Sequence, residues 1–239
     1  MYIKTTHSTN SLMKELLANG EWQEGEGFLY AGYQTAGRGQ TGNSWESEEG
    51  KNLLCSILLP PNKNLYFLNI AVGVAIIRVI ESVLCQCNGL YSVLSIKWPN
   101  DIYYGNKKVA GILVENAIIG NEIKYSIAGI GLNVNQTVFV SNAPNPISLK
   151  QIRGKEYDIE QLMNQVLEEV HNVLNEPEQD IWSYYKSHLY RREGFWLFED
   201  KNGTFEAHIE DVLPTGEIVL KDQEGKERIY HFKQIRFIL

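Results

Sequence analysis

The chain has 239 residues, 44% of them hydrophobic, enough for one sizeable core with room for a small appendage. Its 22 basic and 29 acidic residues leave a formal charge of −7, which argues against a general nucleic-acid or membrane-surface binder but leaves local basic patches open. Cys55, Cys85 and Cys87 form no C-x-x-C pair, and the five histidines are scattered without ligand spacing, so neither a disulfide framework nor a protein-held metal is expected.

The N-terminal MYIKTTHSTN has no apolar stretch of the signal-peptide kind, and a cytoplasmic protein is expected. HSTNSLMKELLANG reads as a helix that Ser8 or Thr9 caps, with Leu12, Leu16 and Leu17 on one face and Gly20 at its end. GFLYAGYQ is strand-like and runs into the glycine-rich AGRGQTGNSWES. LLCSILL, closed by Pro60-Pro61, reads as a buried strand. Residues 66–86 carry a long apolar helical pattern; the continuous run at 68–77 is too short to span a bilayer and leads into Arg78 and Glu81.

SIKW, DIYY, KKVAGILVENAI and EIKYSIAGIGLNV alternate with turns at Gly105-Asn106 and Gly120-Asn121, the pattern of antiparallel hairpins. A polar loop with Pro144 and Pro146 follows, in which TVFVSNAPNP reads as mobile. Ile159, Leu162, Met163, Val166, Leu167, Val170, Val173 and Leu174 recur at helical spacing, and a second helix is expected over 178–191. From about Glu193, short strands separated by KNG, PTG and QEG describe a small barrel of roughly 45 residues, too small for a large core of its own. The resulting fold class is α+β: a mixed, largely antiparallel sheet with packed helices over 1–190, and a small β-barrel over 191–239.

Within AGRGQTGNSWES lies G-x-G-x-x-G. A dinucleotide-binding reading requires a helix opening on the glycines and an acidic residue some 20 positions on; here NSWESEEGKN and an apolar strand follow, and no Asp or Glu occurs between Lys51 and Ile80. A kinase loop lacks its H-R-D and D-F-G partners. Taken alone, the pattern is a surface hairpin or Ω-loop. Three further stretches alter that weighting. SIKWPNDIYY sets Lys97 to Asp101 between two strands, KKVAGILVE places Lys108 beside Ala110 and Gly111, and AGIGLNVN ends a strand with Gly129, Gly131 and Asn133. Glycine, amide and charged groups gathered at strand ends are what a sheet-borne pocket requires.

In order, HSTN, QTAGRGQTGNSW, KWPND, KVAGILVE and GIGLNVN resemble the biotin–protein ligases, and the tail resembles that family's SH3-like C-terminal domain. The resemblance is to members without the N-terminal helix-turn-helix domain of the repressor type. It implies the class II synthetase-like biotin–lipoyl ligase fold and an ATP-dependent reaction through biotinyl-5′-AMP, with Mg²⁺ on the phosphates. It also implies transfer of biotin to a lysine of a carboxylase's biotin-acceptor domain, that of acetyl-CoA carboxylase. The expected partner is therefore that domain, with no nucleic acid and no membrane, and the protein is expected to be a monomer or a homodimer.

By the same resemblance Lys108 contacts the biotin carboxyl and Arg38 the adenylate phosphate, although each also fits an ordinary solvated cation. Asp101 orients or deprotonates the incoming lysine, or is simply a turn residue after Pro99. Ser8, Thr9 and Gln34 contact the biotin head, the first two also being cap candidates. Gly37, Gly111, Gly129 and Gly131 give close access to biotin. Gly39, Gln40, Asn100 and Asn133 lie on the nucleotide side, and Trp45 covers the adenylate or packs in the core. Many relatives read G-R-G-R-x-G-R; here Gln40 and Asn43 replace two arginines, so weaker retention of the intermediate is expected. The nearest rival is a lipoate or octanoate ligase or transferase, which shares the general fold; a non-catalytic biotin sensor is the second.

Overall fold

The computed structural model describes residues 1–22, 27–40, 42–60, 64–84, 93–120, 122–141 and 145–238. Pro61, Cys85, Cys87, Asn121 and Pro144, and the last two residues of the helical pattern 66–86, lie outside the described residues. Seven strands form the main sheet: Tyr2–Thr6 (β1), Phe28–Gln34 (β2), Leu53–Leu59 (β3), Leu94–Lys97 (β4), Asp101–Tyr104 (β5), Lys107–Ile119 (β6) and Glu122–Leu132 (β7). Their order is β1-β2-β3-β7-β6-β5-β4. Only the β1–β2 pair is parallel, so the sheet is mixed and largely antiparallel as expected.

Strand alternation gives the sheet two faces. On one, Cys55, Ile57 and Leu59 of β3 and Ala128, Ile130 and Leu132 of β7 join the main core. The helix Leu65–Leu84 (α2) lies there with Ile159–Leu174 (α4) packed on it. By length and mean hydropathy (2.0) α2 would pass for a membrane span, longer than the run 68–77 indicated; 72% of its most apolar stretch is buried inside the protein. Residues Leu162, Met163, Val166, Val170 and Val173 of α4 are buried at helical spacing, and Arg78 of α2 holds Glu169 at 3.2 Å and Glu176 at 2.5 Å beside them. Cys55 is fully buried, which pushes its thiol up to about 12 and removes it as a nucleophile at neutral pH.

On the other face the helix Thr9–Asn19 (α1) covers only part of the sheet, through Met13 against Leu29 and Ile127. The rest of that face is the floor of a cavity. Neither Ser8 nor Thr9 caps α1 with its side chain, against expectation. Instead Gln34 Oε1, reaching over from β2, accepts the Thr9 N–H at 2.8 Å and its hydroxyl at 3.2 Å.

Two further departures have local causes. The helix expected to end at 191 is Glu178–Ser187 (α5), because the chain leaves it to bond β4: Ile96 N donates to His188 O (2.7 Å) and Tyr190 N to Ile96 O (2.9 Å). Within the stretch expected to be only loop, Leu149–Arg153 forms a short helix (α3), with Ser148 and Gln151 making a reciprocal capping box.

The tail forms a five-stranded antiparallel sheet: Trp196–Asp200 (β8), Gly203–Val212 (β9), Ile218–Asp222 (β10), Glu227–Tyr230 (β11) and Arg236–Phe237 (β12), in the order β11-β10-β9-β8-β12. It docks beside β4 and β5. Trp98 Nε1 donates to Gly216 O at 2.9 Å, and Lys186 pairs with Asp211 at 2.6 Å.

Candidate active site

The floor of the cavity follows from strand register. Gly111 of β6 stands opposite Gly131 of β7, and Leu113 opposite Gly129. A methyl on Gly131 would lie 2.7 Å from Trp45 Cζ2 and Nε1, and one on Gly111 2.9 Å from Trp45 Cζ3, so the indole rests directly on both strands. A methyl on Gly129 would lie 2.5 Å from Asn10 Oδ1. The absence of side chains at these positions thus seats one aromatic ring and one buried amide, beneath a cavity of about 450 Å³.

Helix α1 supplies one wall. Gln34 serves its N-terminus, and Ser8, Thr9 and Gln34 all line the cavity. Asn10 ties the wall down: its amide donates to Leu113 O (3.1 Å) and Glu115 Oε2 (2.8 Å), and its oxygen accepts from Ser56 (2.6 Å).

The glycine pattern is a tight hairpin, with Gly39 N donating to Asn43 O and Trp45 N to Gly37 O, both at 2.9 Å. Gly37 is not among the residues that line the cavity. A methyl there would sit 2.5 Å from Trp45 O, so this glycine lets the hairpin close. Arg38 points from the hairpin to Glu115 (2.8 Å), which also receives Lys14 at 2.6 Å. Burial alone would raise the Glu115 carboxyl, but the bonds from Lys14 and Asn10 outweigh it and hold the group below its ordinary range. Gln40 Oε1 and Trp45 Nε1 are buried without a hydrogen-bond partner, a state that a polar ligand would relieve.

The opposite wall carries charge. Lys108 Nζ lies 2.7 Å from Asp101 Oδ1 and 5.3 Å from the Trp45 ring centroid. Its backbone N–H and C=O are both held by the 145–147 segment: Lys108 N donates to Asn145 O (2.8 Å) and Ile147 N to Lys108 O (2.9 Å). Asn133, expected near phosphate or metal, is instead behind this strand and outside the cavity, donating to Lys108 O (3.4 Å) and Ile147 O (3.2 Å). Strand-end carbonyls need donors, and the buried amide supplies them. Asn100 lines the cavity, but its amide nitrogen donates to Ile112 O, so it braces β6.

The site contains groups to which the sequence reading gave no role of their own. Lys97, opposite Asp101 in register, is seated between the Tyr103 and Phe237 rings (5.0 and 5.4 Å). Burial lowers its ammonium below the ordinary lysine range; Asp101 opposes the shift, and Lys108 and Arg191 add to it. The last turn of the barrel brings in Lys233, Arg236 and Phe237. The wall thus gathers Arg38, Lys97, Lys108, Lys233 and Arg236; among the described residues Asp101 is the one carboxylate that lines the cavity, while Glu115 and Glu199 pair with Arg38 and Arg236 from outside it, in a protein of formal charge −7. Such a cavity suits a ligand that is anionic at one end and apolar in the middle. Among the described residues no three His, Cys, Asp or Glu side chains cluster as a metal site, and Asp101 is already paired.

A model of the biotin/lipoate A/B protein ligase family matches residues 2–133. The chain is 29% identical to the bifunctional ligase/repressor BirA of Bacillus spizizenii, over 96% of this chain and 71% of that protein. It is also 29% identical to the biotin–[acetyl-CoA-carboxylase] ligase of Paracoccus denitrificans, over 66% of each. Among solved structures, the biotin protein ligase of Aquifex aeolicus in complex with biotin and ATP matches with a TM-score of 0.78 at 25% identity, over 100% of this chain and 98% of that one. With the family model matched over more than half its length, the chain belongs to the biotin/lipoate A/B protein ligase family.

Proposed function

We propose that this protein is an ATP-dependent biotin–protein ligase acting on the biotin-acceptor domain of a carboxylase, acetyl-CoA carboxylase in particular. The observation that carries the reading is the Lys108–Asp101 pair, set 2.7 Å apart beside the glycine floor and the Arg38 hairpin. In the first half-reaction an oxygen of the biotin carboxylate attacks the α-phosphorus of ATP and pyrophosphate leaves with the electrons of the broken P–O bond. In the second, the acceptor lysine amine attacks the acyl carbonyl, loses a proton and expels AMP, leaving an amide. Both halves develop negative charge, which fixed cations stabilise.

Lys108 neutralises the carboxylate and then the carbonyl oxygen, and Asp101 orients the incoming amine and takes up its proton. The Ser8 and Thr9 hydroxyls and the Gln34 amide meet the ureido group, which offers two N–H donors and one carbonyl. Arg38 exchanges Glu115 for phosphate, beside Gly39 and Gln40, and Trp45 packs against the bound acyl-adenylate. Asn100 and Asn133 act by bracing β6 and the Lys108 backbone. Mg²⁺ enters as the counter-ion that ATP carries on its phosphates. The proposal divides the chain into a catalytic part, 1–190, and an SH3-like part, 191–239. It places a monomer or homodimer in the cytoplasm, with no nucleic acid or membrane as partner.

The test is intact mass of an apo acceptor domain after incubation with MgATP and either biotin or octanoate. The expected result is an ATP-dependent biotin adduct, with the rate falling about 100-fold or more in Lys108→Ala, as for loss of a fixed group that stabilises transition-state charge. An octanoyl adduct would move the protein to the lipoyl branch of its family. Biotin binding without any adduct would leave a sensor.

A further inference from the structure

Between Leu65 and Ile77 the core helix α2 carries two side chains able to hydrogen-bond, Tyr66 and Asn69. Asparagine disfavours a helix interior and brings an amide to an apolar surface, so its presence needs a reason. The i, i+3 spacing sets the two on one face, and both donate to a single acceptor: the Tyr66 hydroxyl to Pro99 O at 3.2 Å and Asn69 Nδ2 to Pro99 O at 2.8 Å. The Tyr185 hydroxyl of α5 lies 3.1 Å from that of Tyr66; with the Tyr66 proton committed to Pro99, Tyr185 is the donor there. Burial pushes both hydroxyls above the ordinary tyrosine range, so each keeps its proton at neutral pH. Pro99 belongs to the short turn between β4 and β5, and both lone pairs of its carbonyl are thus filled from α2, on the core face of the sheet. In the trans Pro99–Asn100 peptide the N–H points opposite to the C=O. The Asn100 N–H is therefore turned away from α2, to the side where Pro99, Asn100 and Asp101 line the cavity. Among the described residues no acceptor bonds it, although Asn100 is only 8% exposed. The other polar groups of Asn100 are engaged, its backbone carbonyl by Ile112 N at 3.0 Å and its side-chain nitrogen by Ile112 O. An unpaired backbone donor one residue from the Lys108–Asp101 pair is a seat for an oxygen that gains negative charge.

We infer that Tyr66 and Asn69 are positioning residues for the transfer step: they lock the Pro99–Asn100 peptide so that the Asn100 N–H, together with the Lys108 ammonium, receives the acyl oxygen of the adenylate. The inference rests on the ligase reading above. As the lone pair of the acceptor amine forms the new C–N bond, the π electrons of the carbonyl move onto its oxygen, where the N–H and Lys108 hold the charge. They return as the C–O bond to AMP breaks and AMP leaves with that bond's electrons, while the amine proton passes to Asp101. The Asn100 proton stays on its nitrogen throughout. A peptide held from the core needs no reorientation at the moment charge develops, which is why two donors are placed behind it.

Asn69→Leu in the full chain is the informative variant. Leucine is close to asparagine in shape, favours helix more, and leaves Pro99 O bonded to Tyr66, so Tm should not fall. Transfer would be followed as the mass of an apo acceptor domain after mixing purified biotinyl-5′-AMP with excess enzyme, and adenylation as pyrophosphate release without acceptor. Transfer is expected to slow about tenfold in Asn69→Leu and about 100-fold when Tyr66→Phe is added, the range for a reacting group misplaced by about 1 Å. Pyrophosphate release and biotin affinity should stay within about twofold, because Lys108 is held separately by the 145–147 segment and the biotin head meets the opposite wall. The pH profile of transfer should keep its shape, since the donor displaced does not titrate. An unchanged transfer rate in the double variant would overturn the inference alone. So would equal slowing of both half-reactions, which reports general damage to the cavity, or a shifted acid limb, which places the effect on Asp101. A wild-type protein that yields neither pyrophosphate nor adduct would sink the ligase reading and this inference with it.

Discussion

Replacing Gly129 by alanine places one methyl 2.5 Å from Asn10 Oδ1 and 2.9 Å from its Cγ and Nδ2. Ordinary carbon contacts lie at about 3.5–4.0 Å, so the amide must retreat by about 1 Å. It has no slack to do so. Asn10 is 3% exposed and bonded to Leu113 O, Glu115 and Ser56, the last fully buried. Overpacking of this kind costs about 1–3 kcal/mol, and a Ser56 hydroxyl left unpaired adds about 1–3 kcal/mol. For a chain of this size the combined loss lowers Tm by about 5–20 °C, to be read by far-UV circular dichroism. The reasoning also fixes a double-mutant outcome: Asn10→Ala removes the atoms the methyl strikes, so Gly129→Ala should cost far less in that background. A Tm within about 1 °C of wild type would refute the argument. So would an equal loss with and without the Asn10 side chain.

Three other outcomes follow from the same geometry. The Glu115 carboxyl lies below its ordinary value of 4.5 in the folded protein, so its contribution to stability is complete above that value and is lost as pH falls through the folded one. Glu115→Gln should therefore flatten the acid side of a Tm-against-pH profile, and superimposable slopes would count against the Lys14 and Asn10 bonds as the cause. In Gly131→Ala the methyl and the Trp45 indole cannot share the floor; emission should move to longer wavelength as the ring leaves, and biotin affinity should drop about tenfold, an overpacking cost. Unchanged emission would show that the ring never rested there. Gln40→Arg, which adds a guanidinium to the hairpin, should slow release of biotinyl-5′-AMP into solution, measured in the absence of acceptor. Equal leakage from both proteins would sink that idea.

What could be read from the sequence was whatever repeats at the period of its own element. Helix α4 buries residues at helical spacing and β7 buries Ala128, Ile130 and Leu132 in alternation, and both were legible. Strand β1 was not. Of its five residues only Thr6 is buried, and it is held by parallel bonding to β2, an edge role that leaves no alternation in YIKTT. The end of α5 was misplaced for a related reason: nothing in SHLYR announces that its backbone is needed by β4. The α3 helix was missed although its signal is local, Ser148 followed three residues later by Gln151.

The site divides along the same line. The residues of HSTN, the hairpin, KWPND and KVAGILVE were identifiable because each sits at the end of a strand or helix that its own segment defines. Even there the motif named positions more surely than contacts: Asn100 lines the cavity while donating to Ile112 O, Asn133 donates to Lys108 O, and Gly37 lets the hairpin close on Trp45. Lys233 and Arg236 had no local signal, because their place at the cavity depends on how the barrel docks, and that is decided by Trp98 more than 130 residues earlier. This is also why the total charge misleads. A formal −7 is spread over the whole surface, whereas an anion bound in the cavity meets Arg38, Lys97, Lys108, Lys233 and Arg236 at close range in a partly desolvated space, where nearby charges dominate over distant ones.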